Sequence, residues 1–273
     1  MTAARTVLTT GANSGIGLAT VIELARRGFD SVGTVRSSAK ARAVHQAARK
    51  AGVEVRTVLL DVTDGDACRR AIDEERPCGL VNNAGYSSSG AIEDVSDAEA
   101  RRALETMVLA PMRLARLAIP HMREAGGGRI VNISSVYGRT STPLTGWYQG
   151  CKHALEGLSD ALRMEVASSN IRVVLIEPGG FRTGIWEEAE REMERHAGSR
   201  YRSAYRRSLT GVRLTQPIMG DPQGCARVIA GAVQSRNPNA RYLVGLDAQA
   251  VALYERLVPT MVKDRLARVT LGL

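Results

Sequence analysis

The chain has 273 residues and a formal net charge of +9 at pH 7, with 44% hydrophobic and 24% charged residues. This composition is ordinary for a globular protein, and no run of about eighteen apolar residues is present that could span a bilayer. The N-terminus leads directly into an apolar run at Thr6 without a signal-peptide pattern, so we expect a cytoplasmic protein with no integral membrane segment.

The titratable residues exclude two further classes of protein. The four cysteines and four histidines show neither metal-binding nor disulfide spacing, so no metal site is predicted. Lysine occurs at only four of the 37 basic positions, and the arginines are spread along the whole chain. A dispersed excess of arginine without a recognised motif does not predict nucleic-acid binding.

The first predicted elements form a strand, a glycine turn and a helix. The strand spans Thr6 to Thr10, and the helix ends at Gly28. Gly11 permits a tight turn, Gly15 lets a diphosphate approach the backbone, and Gly17 lets the helix pack closely on the strand. This G-x-x-x-G-x-G turn predicts a dinucleotide site, and a glycine turn without a ligand is the alternative.

Arg36 follows the second predicted strand, Ser31 to Val35. An acidic residue at this point binds a ribose 2′-hydroxyl, whereas an arginine accommodates a 2′-phosphate. No acid occurs between Ser31 and Arg42, so NADP (NADPH) is favoured over NAD. The alternative is coincidence, because arginine is frequent throughout the chain.

Strands and helices alternate along the rest of the chain. After the second strand, the predicted elements up to residue 133 are a helix at Ser38–Ala51, a strand at Glu54–Leu60, a helix at Asp64–Arg76, a strand at Cys78–Val81, a helix at Asp97–Arg123 interrupted by Pro111, and a strand at Arg129–Ile133. The elements after it are a helix at Tyr148–Val166, a strand at Ile171–Ile176, a loop at Glu177–Thr183, a helix from Asp221 to Val233 and a strand at Arg241–Val244. Such alternation predicts one α/β domain over residues 1–273, a doubly wound Rossmann fold with a parallel sheet of about seven strands and helices on both faces. Gly11, Arg36, Asp61 and Asn82 all fall at carboxyl ends of strands, where ligands bind in such sheets.

Two segments depart from the alternation. Residues 184–220 are less regular and strongly charged, with a polar helix-like run around Glu187 to Arg195, and we expect them to form a substrate lid. The tail, Asp247 to Leu273, has an amphipathic and mostly helical pattern. We expect the tail to pack on the domain or on a partner subunit, and attachment to a membrane surface is the alternative.

Tyr148 and Lys152 are one helical turn apart, so both side chains project from one face of the helix. A nearby ammonium stabilises a phenolate and is expected to lower the tyrosine pKa. This pair predicts proton transfer.

In order and spacing, these motifs resemble the short-chain dehydrogenases/reductases. The motifs that carry the resemblance are Thr10-Gly11-x-x-x-Gly15-x-Gly17, Asp61, Asn82-Asn83-Ala84-Gly85, Ser135, Tyr148-x-x-x-Lys152 and Pro178-Gly179. Within that superfamily, the run from Ser134 to Glu165 and the ending Arg241 to Asp247 look most like the 17β-hydroxysteroid-dehydrogenase-like branch.

The resemblance implies a role for each matching residue. Tyr148 would exchange the proton, Lys152 would bind the nicotinamide ribose, and Ser135 would hydrogen-bond the substrate carbonyl. Asn82 would support the adenosine side of the site. The implied cofactor-binding residues are Gly11, Asn13, Ser14, Gly15, Ile16, Gly17, Arg36, Asp61, Val62, Asn83, Ala84, Gly85, Tyr148, Lys152, Pro178, Gly179 and Thr183. The expected reaction interconverts an alcohol and a ketone or aldehyde on an apolar small molecule. The resemblance also implies that the protein forms a homodimer or homotetramer.

Met107 stands where the family usually has a catalytic asparagine. We expect the proton relay to survive through the Met107 backbone, because Pro111 removes the N–H that would bond its carbonyl. The alternative function is a non-catalytic NADP-binding regulatory protein. Arginines of the predicted lid could also meet an acidic substrate, although solvated surface is the simpler interpretation.

Overall fold

The computed structural model describes residues 5–196 and 198–273, and these form a seven-stranded sheet with the order β3-β2-β1-β4-β5-β6-β7. Every neighbouring pair of strands is parallel. The strands are β1 Thr6–Thr9, β2 Asp30–Val35, β3 Arg56–Leu59, β4 Gly79–Asn82, β5 Gly128–Ile133, β6 Ile171–Pro178 and β7 Arg241–Val244. The predicted doubly wound fold is therefore confirmed.

Helices cover both faces of the sheet. They are α1 Gly15–Arg26, α2 Ser38–Lys50, α3 Gly65–Glu75, α4 Asp97–Leu104, α5 Ala110–Glu124, α6 Gly146–Glu165, α7 Ile185–Arg195, α8 Arg202–Thr215, α9 Pro222–Gln234, α10 Leu246–Leu257 and α11 Thr260–Leu271. Successive strand residues alternate between the faces. Leu8 packs in the cluster under α3 and α5, whereas its neighbour Val7 packs in the cluster under α1 and α9. Both faces are buried, which explains why the strands are almost continuously apolar.

The structure corrects three of the predicted elements. The long helix is split by a π-helical turn at Glu105–Leu109, just before Pro111. β6 continues through Glu177 and Pro178, which the sequence analysis placed in a loop. In the predicted lid, α7 confirms the helix-like run expected around Glu187 to Arg195, whereas α8 is a second regular helix in a stretch predicted to be irregular.

The order of the strands reverses between β1 and β4, so the crevice at the carboxyl end of the sheet opens there. Because all strands are parallel, the segments that follow β1, β4, β5 and β6 meet at this one edge. The fold thereby brings the glycine turn and the Ser135 to Lys152 stretch to one side of the molecule.

Candidate active site

The glycine turn between β1 and α1 is too tight for side chains. Gly11 and Gly15 have φ values of +66° and +54°, which non-glycine residues rarely adopt. A Cβ on Gly17 would lie 2.4 Å from the Gly11 carbonyl oxygen, and one on Gly15 would lie 2.9 Å from Cγ2 of Thr183. The turn and the Thr183 loop thus form a close-walled cradle.

Asn83 and Thr10 hold the shape of this turn. The Asn83 side-chain amide donates to the carbonyl oxygens of Thr10 and Gly11 at 2.9 and 3.2 Å. The Thr10 hydroxyl accepts from the backbone N–H groups of Asn83 and Ala84, both at 2.9 Å. The side chain of Asn83, predicted to bind a cofactor, is therefore committed to the turn itself.

The amino end of α1 is suited to a diphosphate. Ser14 precedes the helix in an extended conformation, and within the described residues its side chain makes no capping hydrogen bond. The first-turn amides and the positive end of the helix dipole therefore face the cradle. The glycines and the helix end therefore fit the diphosphate of a dinucleotide.

Two residues predicted at the cofactor site, Val62 and Asn82, are turned inward. Val62 is 7% exposed and packs in the core under α3 and α5, so its side chain does not face a ligand. Asn82, also buried, donates to Oδ1 of Asn132 at 2.8 Å and links β4 to β5. Asn82 thus supports the sheet, and its role on the adenosine side stays a prediction.

Asp61, by contrast, is exposed at the edge of the crevice. Hydrogen bonds from the Thr63 backbone and hydroxyl, at 3.0 and 2.8 Å, hold its pKa below the usual range, and Arg36 adds to the effect. Asp61 and Arg36 are therefore close enough to interact. Arg36 itself is exposed directly after β2.

The predicted catalytic residues converge at the end of β5. Tyr148 and Lys152 both lie on α6, as their spacing predicts, and the Lys152 ammonium is 5.5 Å from the centroid of the Tyr148 ring. The ammonium donates to the carbonyl oxygen of Ile133 at 2.8 Å. The Ser135 hydroxyl accepts from the Tyr137 N–H at 3.1 Å.

Burial dominates the proton affinities of this pair. It raises the pKa of Tyr148 to about 12, while the Ser135 hydroxyl acts in the opposite direction. Burial also lowers the pKa of Lys152 to about 8, because the ammonium is taken out of water. The pKa of Tyr148 is therefore raised and not lowered as expected, and the group that opposes burial is the Ser135 hydroxyl and not the Lys152 ammonium.

Known proteins that are similar to this chain in sequence and fold belong to one family. A family model described as short chain dehydrogenase matches residues 5–194. The chain belongs to this family. It is 35% identical over 261 residues to an uncharacterized oxidoreductase, YusZ, of Bacillus subtilis, covering 92% of this chain and 93% of that one.

Two further relatives have more informative names. The 3-ketodihydrosphingosine reductase of Bacteroides thetaiotaomicron is 31% identical over 244 residues, covering 88% of this chain and 87% of the relative. A crystal structure of actinorhodin polyketide ketoreductase with NADPH superimposes with a TM-score of 0.77 at 25% identity, covering 90% of this chain and 96% of that one. The chain is an oxidoreductase of the short-chain dehydrogenase family that depends on a nicotinamide cofactor.

In this short-chain dehydrogenase, Met107 belongs to a buried apolar cluster that packs against Tyr148. Its side chain is 1% exposed and shares a small apolar cluster with Tyr86, Val108, Tyr148 and Cys151. Met107 lies at the centre of the π-helical turn. π-helical turns are frequent at functional sites, and no sequence signal beyond Pro111 pointed to this one.

A buried ion network lies behind the catalytic loop. Glu177 is fully buried in β6 and receives two hydrogen bonds from Arg139, at 2.6 and 2.9 Å. Arg241 lies 3.2 Å from the same carboxylate and 3.1 Å from Glu156. The sequence analysis missed these residues, since charged side chains on separate elements carry no spacing signal.

The predicted lid is fastened to the loop after β4. Glu192 of α7 accepts a hydrogen bond from the Ser89 N–H at 2.9 Å, and burial raises the pKa of its carboxyl. Tyr205 of α8 accepts from the Ala91 N–H at 2.6 Å and donates to Asp94 at 2.8 Å. α7 and α8 thereby cover the loop after β4.

No helix within residues 5–196 and 198–273 combines the length and apolar character that crossing a bilayer requires.

Proposed function

We propose that this short-chain dehydrogenase uses NADP(H) to interconvert an alcohol and a ketone or aldehyde on an apolar small molecule. The observation that carries the proposal is the arrangement of Tyr148 and Lys152 on one face of α6, beside Ser135 and at the same sheet edge as the glycine cradle. The names of two relatives support a keto substrate, since both are reductases of keto compounds.

In the proposed reduction, the bound nicotinamide supplies a hydride. The Ser135 hydroxyl holds the substrate carbonyl oxygen, and Tyr148 donates the proton that completes the alcohol. Lys152 stabilises the resulting phenolate, because an ammonium near a phenolate favours the charged form. We further propose that the phenolate regains its proton through a water held by the Met107 backbone.

The central test follows NADPH absorbance with a panel of apolar ketones. Tyr148→Phe keeps the ring and removes the hydroxyl, so we expect turnover to fall by about 10²–10⁴-fold. Tyr242→Phe is the matched control, because its hydroxyl accepts from the Asn239 N–H away from the site. Equal rates in the wild type and Tyr148→Phe would exclude Tyr148 as the proton donor.

The same assay separates the enzyme from the alternative of a regulatory protein. A wild-type protein that binds NADPH tightly, yet turns over none of the ketones, would favour the regulator.

The preference for NADP rests on Arg36, which is exposed at the end of β2 beside Asp61. A guanidinium there can form charge-assisted hydrogen bonds with a 2′-phosphate. Arg36→Asp should shift the ratio of NADPH to NADH affinity toward NADH, whereas Arg42→Asp on the exposed side of α2 should not. An unchanged ratio in Arg36→Asp would remove the basis for the NADP assignment.

We also propose a homodimer or homotetramer that uses the helices on the α4 to α6 side. Leu158 and Met164 of α6 are 44% and 70% exposed, and Leu109 is 53% exposed. Sedimentation velocity of Leu158→Glu, compared with the wild type, tests this surface. A wild-type monomer would overturn the proposal.

A further inference from the structure

Exposed apolar side chains are concentrated in the C-terminal tail. Within the described residues, fifteen large hydrophobic side chains are exposed, and eight of them belong to residues 246–273. These eight are Leu246, Leu253, Leu257, Met261, Val262, Leu266, Val269 and Leu273. About a tenth of the chain thus carries half of these side chains, whereas apolar residues scattered singly over a surface are ordinary.

On α10 the exposed residues form one stripe. Leu253 and Leu257 lie seven and eleven positions after Leu246, which places all three on the same side of the helix. Ala248, on the opposite side, is fully buried against the domain. The helix therefore already has its inner contact, and its outer face is apolar as well.

α11 has the same two-sided character. Leu271 packs inward on the cluster that contains Tyr205 of α8. Val262, Leu266 and Val269 recur at helical spacing on the other side and are 46%, 50% and 71% exposed. Packing within the domain therefore accounts for Leu271 but not for the outer stripe.

α8 extends this surface and makes it cationic. The Arg207 guanidinium lies against Gly272 at the end of α11, and Leu214, one heptad after Arg207, is 74% exposed. Residues 198–220 hold five arginines and no acid, and residues 246–273 hold four basic and three acidic residues. Arg213 pairs with Glu190 of α7 at 3.3 Å, so the positive charge of this surface comes mainly from the other four arginines, Arg200, Arg202, Arg206 and Arg207.

Exposed apolar stripes flanked by arginines match the surface of a bilayer that contains anionic lipids. A second copy of the chain fits less well, because a two-fold pairing would bring the same cationic face against itself. We propose that the outer faces of α8, α10 and α11, here called the docking face, bind the surface of an anionic membrane. This proposal is independent of the reaction catalysed at Tyr148.

The test is flotation of the full-length protein with two kinds of vesicle. One kind contains phosphatidylcholine alone, and the other contains equal parts of phosphatidylcholine and phosphatidylglycerol. We expect the protein to float with the anionic vesicles and to be released by salt, because screening weakens attraction to lipid headgroups. Failure of the wild type to float with the anionic vesicles would overturn the proposal.

Variants locate the binding surface. Leu253→Ser with Leu266→Ser should weaken vesicle binding about tenfold or more, because in the wild type each leucine side chain moves from water into the membrane interface on binding. Leu59→Ser with Ile92→Ser is the matched control, since these residues are 59% and 62% exposed and lie outside both the docking face and the proposed oligomer surface. Equal loss in both double variants, or none in the first, would overturn the proposal.

Two further readouts complete the test. Replacing Arg206 and Arg207 with Gln should reduce binding to anionic vesicles and the salt dependence together, with unfolding midpoints unchanged because both side chains are exposed. Sedimentation velocity of the variant with Leu253→Ser and Leu266→Ser tests whether a second copy of the chain binds the docking face. A fall in oligomeric mass without a change in vesicle binding would show that the docking face binds a partner subunit and not a membrane.

Discussion

Arg139 donates two hydrogen bonds from its guanidinium group to the fully buried carboxylate of Glu177, at 2.6 and 2.9 Å. Arg139 follows Ser135 by four residues, and Glu177 lies in β6 immediately before Pro178. The ion pair therefore joins the loop that carries Ser135 to the strand that leads into the Thr183 loop. Arg241 approaches the same carboxylate from β7 at 3.2 Å.

Glu177→Gln is expected to lower the free energy of unfolding by about 3 kcal/mol, because it leaves the partly buried Arg139 guanidinium without the carboxylate that balances its charge. Urea unfolding followed by circular dichroism measures the loss. The control is Glu124→Gln, whose pair with Arg76 has side chains that are 63% and 60% exposed. Exposed pairs contribute little, so that variant should match the wild type. Similar losses in the two variants would contradict a special role for the buried pair.

Gly17→Ala is expected to abolish dinucleotide binding. The new methyl group would lie 2.4 Å from the Gly11 carbonyl oxygen and 2.5 Å from the Asn83 amide nitrogen, so the turn must change shape. Titration with NADPH, followed by cofactor fluorescence, measures the affinity.

Gly150→Ala is the matched control for that variant. Gly150 lies on α6, and its added Cβ would meet open space. The change should leave NADPH affinity intact and raise stability by up to about 1 kcal/mol, since alanine is the better helix former. If Gly17→Ala left the NADPH affinity unaltered, the glycine cradle would not be part of the cofactor site.

The sheet could be predicted from the sequence because the residues that specify a strand or a turn are close together in the chain. The alternating apolar runs of β1 to β7, and turn residues such as Gly11 and Gly28, act through neighbours in the chain. Within the lid, the helix-like run around Glu187 to Arg195 was predicted, but α8 was missed because its charged residues obscured the helical periodicity. Asp247 shows the limit of such reasoning, since it accepts from the Gly180 N–H at 2.5 Å across 67 positions. Only the tertiary fold specifies such a contact.

Lys152 should make stability depend on pH. Burial lowers its pKa from 10.5 to about 8 in the folded protein. Between these values the unfolded chain holds a proton that the folded chain has lost, so the contribution of Lys152 to stability rises with pH. The full rise is on the order of 3 kcal/mol, and below pH 8 the cost of burying the ammonium is constant. Tyr148, with its pKa raised to about 12, acts oppositely, but only above about pH 10.

Urea unfolding of the wild type and Lys152→Met from about pH 7 to pH 9.5 isolates this contribution, since other groups titrate alike in both proteins. The stability of the wild type relative to the variant should increase across the upper half of that range. Lys50→Met removes an exposed ammonium and should give a flat difference. A flat difference for Lys152→Met as well would mean that Lys152 titrates as in water.

Met107→Asn restores the residue that the family usually has and tests whether the native relay functions. If the Met107 backbone holds the relay water, the side chain is not required, so kcat should change by less than about tenfold. Stability should fall by about 1–3 kcal/mol, because an amide replaces a thioether that is 1% exposed among apolar side chains. Met122→Asn, at another fully buried methionine on α5, should lose comparable stability without altering kcat. A gain in kcat of two or more orders of magnitude in Met107→Asn alone would show that the relay is broken in the native protein.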